Sequence, residues 1–134
     1  MNTKFIVLSV VVLLVFDFLW IGLFMGNQYK KQTRTIQGSE MEVDYKFALM
    51  AYILMVVGLI LFVLPNIREG REFKDSLIYG FTFGVVVYGV YDFTAGAVFK
   101  NWNKKLAMID ILWGGFVYFM ASYISTIGYR TKVL

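Results

Sequence analysis

Four apolar stretches dominate the 134-residue chain, at about 5–25, 47–64, 76–99 and 106–128. Each is close to the roughly 20 residues that a helix needs to cross a bilayer. Only 16% of the residues are charged and 59% are hydrophobic, against about 25% and 45–50% in soluble domains. A soluble fold this small leaves too much of its area in water to hide so much apolar surface. No alternating ten-residue pattern appears, and four strands would not close a barrel. The expected fold is therefore all-α, an integral membrane bundle of four transmembrane helices in up-down topology. Residues 1–134 form a single domain.

The connections are short and polar. Pro65-Asn66 stops the second stretch, and Arg68-Glu69-Gly70-Arg71-Glu72 forms a charged turn. The longest polar segment, 27–46, separates the first two stretches. Lys100 to Lys105 link the last two. The first apolar run is about 20 residues long, where a secretory signal core has roughly 7–15, and no small-x-small cleavage site follows. It reads as a retained helix.

An even number of spans puts both termini on one side. Lys4, Arg68, Arg71, Lys74, Arg130 and Lys132 then share that side. Lys30, Lys31, Arg34, Lys46, Lys100, Lys104 and Lys105 occupy the other. This balance leaves orientation undecided by the positive-inside rule and would suit an antiparallel homodimer. Six acids (Glu40, Glu42, Asp44, Glu69, Glu72, Asp75) lie in loops or at helix edges, so both wet faces remain basic. The bilayer, with its anionic headgroups, is the expected partner. Nucleic acid is not, because no basic stripe with interleaved aromatics lies outside the spans.

Several chemistries are excluded by residue type. The chain has no Cys and no His, which removes disulfides, thiolate zinc sites, haem histidines and Ser-His or Cys-His catalysis. No lysine lies deep in a span, so no retinal Schiff base forms. No potassium-filter sequence and no phosphate-cradling Gly-Lys-Ser/Thr loop occurs. No cofactor or metal is expected.

Asp17, Asp92 and Asp110 fall inside apolar stretches. Each costs on the order of 2.5–3.5 kcal/mol to insert, so intramembrane acids mark functional sites by default. At about 1.5 Å per residue, Asp17 and Asp92 lie roughly 12 Å from the membrane edge nearer the 27–46 segment. Asp110 lies roughly 7 Å from it. Three acids at one level from three helices suggest one polar chamber.

Asp17-Phe18-Leu19-Trp20 in the first stretch recurs as Asp110-Ile111-Leu112-Trp113 in the fourth. The i, i+3 spacing puts each Asp and Trp on one face. In antiparallel helices Asp17 falls level with Trp113 and Asp110 with Trp20, so each indole N–H is expected to donate to the opposite carboxylate. Such an exchange is equally the signature of a polar staple that only fastens the bundle. Tyr88 and Asp92 share a face at i, i+4, and the phenol is expected to meet the acid. Tyr91 and Thr94 belong to the same motif. Gly80 and Gly84 form a GxxxG pair suited to close helix approach. The uncharged second stretch, with Ala48, Ala51 and Gly58, reads as a packing wall. Trp102, Tyr29 and Tyr129 read as interfacial belt residues.

These segments also resemble a family of small four-span membrane proteins catalogued as domain of unknown function 2177. The matching stretches are Asp17–Gly22, Ala51-Tyr52 through Gly58 to Pro65, Gly80 through Gly84 to Thr94, and Trp102 with Asp110–Gly114. They cover nearly the whole chain in order. Ala95 departs from the family pattern, which has Asn there. The resemblance implies four helices and an integral membrane location, and it implies no activity.

The functional expectation is a proton-linked carrier or binder of a cation or a cationic, amphipathic small molecule. The candidate residues are Asp17, Asp92, Asp110, Tyr88, Tyr91, Thr94, Trp20 and Trp113. A membrane enzyme acting on a lipid or isoprenoid is the alternative, weakened by the lack of His and Cys. A non-catalytic subunit binding lipid or pigment is the third reading.

Overall fold

The computed structural model describes residues 3–130, with side chains through Gly128. The described residues contain helices and connections and no strand. Four helices are long and apolar enough to cross a membrane: α1 (Thr3–Gln37), α2 (Tyr45–Asn66), α3 (Glu72–Val98) and α4 (Lys104–Arg130).

Local chemistry sets the ends. Gly38 takes φ +77°, the left-handed conformation that glycine enters at no steric cost, and its N–H bonds Arg34 O at 2.9 Å to close α1. The Asp44 side chain accepts from Lys46 N (3.1 Å) and Phe47 N (3.2 Å), capping α2. Pro65 turns the last residues of α2 into a 3-10 turn, Leu64–Asn66. Asn103 Oδ1 accepts from Leu106 N at 3.0 Å and starts α4.

The polar segment after the first apolar run is largely helical. α1 has 35 residues, about 52 Å at 1.5 Å each, which exceeds a hydrocarbon core of roughly 30 Å. Its last part, Gly26–Gln37, is a polar extension whose Tyr29 and Gln32 reach Asp110 and Asn103 at the end of the bundle. The apolar and polar parts of α1 meet in a wide π turn, Trp20–Met25. Here Gly26 is required, since a Cβ would strike the Ile21 carbonyl. Wide turns also occur at Leu59–Val63 and Ser76–Phe81.

α4 is the central helix. In its most apolar window 44% of residues are buried, against 17–22% in the other three. α3 lies close along it because Gly80 faces Ser122 and the Tyr118 carbonyl, while Gly84 lies on the Gly114 backbone. No side chain fits there. This is how small residues work between membrane helices. Leu13, Leu59, Val63, Val117, Tyr118 and Ala121 form the core beside this contact, and Tyr118 Oη donates to Met55 O at 2.8 Å.

α2 is a packing wall only in its second half. Gly58 packs on the Phe83 ring, and Leu59 and Val63 are fully buried. Its first half stands away from the bundle, with Tyr45, Phe47 and Leu54 at 70–80% exposure. Ala48 and Ala51 face a cavity instead of a neighbouring helix.

Candidate functional site

Asp17 lies on α1 just before the wide turn and is 5% exposed. Three helices supply its donors. Tyr52 Oη of α2 donates to Oδ2, and Trp113 Nε1 of α4 donates to Oδ1 at 3.4 Å. Tyr88 Oη of α3 approaches Oδ1 at 3.5 Å. The Asp17–Trp113 half of the expected exchange is present. Tyr88 points to Asp17 rather than to Asp92, its neighbour one turn along, because the phenol reaches across the bundle to the acid of the facing helix.

The other half of the exchange is replaced by a relay. Trp20 Nε1 donates to Tyr29 Oη at 2.8 Å, and Tyr29 Oη donates to Asp110 Oδ1 at 2.8 Å. Trp20 does not reach Asp110, because its indole is stacked flat on Trp113, with centroids 4.3 Å apart and planes within 5°. Tyr29 is therefore part of the site and not a belt residue.

Asp92 is 3% exposed, and its carboxyl lies within hydrogen-bonding reach of that of Asp110. Its Oδ2 receives no hydrogen bond from any described donor. Two like charges at this distance repel unless a proton or another cation stands between them. Among the described residues no group of three or more Asp, Glu, His or Cys gathers into a metal site.

The acids line two adjoining cavities. One, of about 330 Å³, lies under the polar extension of α1 and is lined by Asp92, Asp110, Tyr29, Gln32, Thr33 and Trp102, among others. The second, of about 570 Å³, lies between the splayed half of α2 and α3. Its walls are Ala48, Ala51, Met55 and Val87, with Asp17, Tyr88 and Asp110 among the polar groups. Exposed Leu54 and Tyr91 mark its mouth. Asp110 and Tyr91 line both cavities.

Of the residues singled out in the sequence, Asp17, Tyr88, Trp20, Trp113 and Asp110 are joined by hydrogen bonds or stacking, with Tyr29 completing the chain. Asp92 joins through its contact with Asp110 and Tyr91 through the cavity walls. Thr94 is exposed and lines neither cavity. Tyr129 lies outside the residues whose side chains are described. The sequence reading missed Tyr52, Gln32 and the site role of Tyr29. Gln32 Oε1 accepts from Asn103 N at 2.9 Å and ties the α1 extension to the turn before α4. Trp102 stands over the polar cavity, packed edge-on to Tyr91 and stacked on Phe99.

Four apolar helices around buried carboxylates define an integral membrane bundle. The family model for DUF2177, described as a predicted membrane protein, matches residues 2–128, and the chain belongs to that family. No curated protein and no solved structure matches it.

Proposed function

We propose that the protein binds an amphipathic cation inside the membrane and carries it in exchange for protons. The observation that supports this reading is the contact between Asp92 and Asp110 at the wall between a polar and an apolar cavity. Two carboxyls in contact favour a shared positive charge, and a proton and an organic cation compete for the same place. The apolar cavity receives the body of such a molecule, and Tyr29 holds Asp110 in position. Asp17 has another part. Donors from three helices fasten it, so it works as the staple of the bundle.

The test is flux in liposomes that hold a pH-reporting dye. Octylguanidinium keeps its charge and cannot cross as a neutral base. Added outside, it is expected to raise lumenal pH several-fold faster with the protein than in empty vesicles, as protons leave in exchange. Asp110→Asn is expected to remove the difference. Equal rates with and without protein would refute the carrier reading.

A further inference from the structure

The two cavities differ in what their linings still demand. Two residues that line the polar cavity each keep a buried atom without a partner among the described residues: Asp92 Oδ2, an acceptor, and Trp102 Nε1, a donor. Such atoms are costly, roughly 1–3 kcal/mol each, and native proteins rarely leave them empty-handed. A carboxylate pair with a vacant acceptor calls for a cation that carries N–H. An indole N–H calls for an oxygen. The adjoining cavity has mainly apolar walls and an exposed mouth at Leu54, which calls for hydrocarbon.

We propose that the two cavities together hold one ligand, an amine-headed amphiphile. Its primary ammonium, with an oxygen beside it, sits between Asp92, Asp110 and Trp102, and its apolar chain passes Asp110 and Tyr91 into the larger space. This rests on the cation-binding reading above and names the head that the site selects. A quaternary ammonium has no N–H and leaves Asp92 Oδ2 as it was. A plain alkylamine leaves Trp102 Nε1 as it was. A head without a chain leaves the apolar cavity unfilled.

The probe is 2-aminododecan-1-ol, titrated calorimetrically into the full chain in lipid nanodiscs, with empty nanodiscs as the blank. Dodecyltrimethylammonium and dodecylamine are the comparison arms. The amino alcohol is expected to bind about tenfold more tightly than the trimethyl compound, the size of one charge-assisted hydrogen bond. It is expected to bind several-fold more tightly than dodecylamine. Asp92→Asn should erase the first preference. Trp102→Phe, at the α3–α4 turn, should erase only the second, and it judges the proposal alone if the Asp92 variant fails to fold. Equal affinity for all three compounds overturns the head assignment and leaves cation binding standing. Binding by none of them overturns both.

Discussion

Around the turn between α2 and α3, the buried acid Asp75 meets two fixed cations. Arg68 donates from Nε and Nη2 at 2.9 Å and from its backbone N at 3.0 Å, and Arg71 stands at 3.6 Å. Around the turn between α3 and α4, the equally buried Asp92 has another acid within reach, and one of its oxygens has no donor among the described residues. The packing follows the same division. Beside Asp75, Phe73 packs edge-on to Phe119 and Tyr123. Beside Asp92 the helices part into two cavities. Asp75 has both oxygens met by arginine within the fold, whereas Asp92 leaves Oδ2 without a described donor.

The α3–α4 contact midway between these two acids breaks most severely. Gly84→Leu forces a side chain into the Gly114 backbone and should cost about 3 kcal/mol, seen as a large drop in the thermal unfolding temperature in detergent. Ala51→Leu, in the open half, should barely change that temperature and should weaken ligand binding by filling the cavity. Asp17→Asn comes next, at roughly 2 kcal/mol, because an amide turns a donor toward groups that themselves donate. Tyr29→Phe should cost about 1 kcal/mol by stranding Trp20 Nε1, with a shifted tryptophan emission as the second readout. Asp92→Asn should be nearly neutral or slightly stabilising, since no described donor holds Asp92 Oδ2 and the amide relieves the repulsion of two neighbouring carboxyls. If Asp92→Asn destabilised as much as Asp17→Asn, the contrast between fastened and waiting acids would collapse.

The membrane bundle was legible because apolar length is a one-dimensional property, and the acids stood out because they interrupt it. The Asp17–Trp113 pair was legible too, through the repeated Asp-x-x-Trp spacing. The Trp20–Asp110 pair was not, because spacing along a helix gives no sign that the Trp20 indole stacks on Trp113 and donates to Tyr29, which the wide turn after Trp20 brings alongside. Tyr29 was hidden by composition. Its segment is polar, so it reads as a loop, yet it has no helix breaker before Gly38. The splay of α2 was invisible for a different reason: an apolar face looks the same whether lipid or protein covers it.

The wide turn at Trp20–Met25 has a consequence for register. One surplus residue in a helix rotates everything beyond it by about 100°. Tyr29 thus meets Asp110 only while that surplus is held in place. Were the winding to tighten, the whole polar end of α1 would swivel like a key, and Asp110 would lose its phenol without any other helix moving.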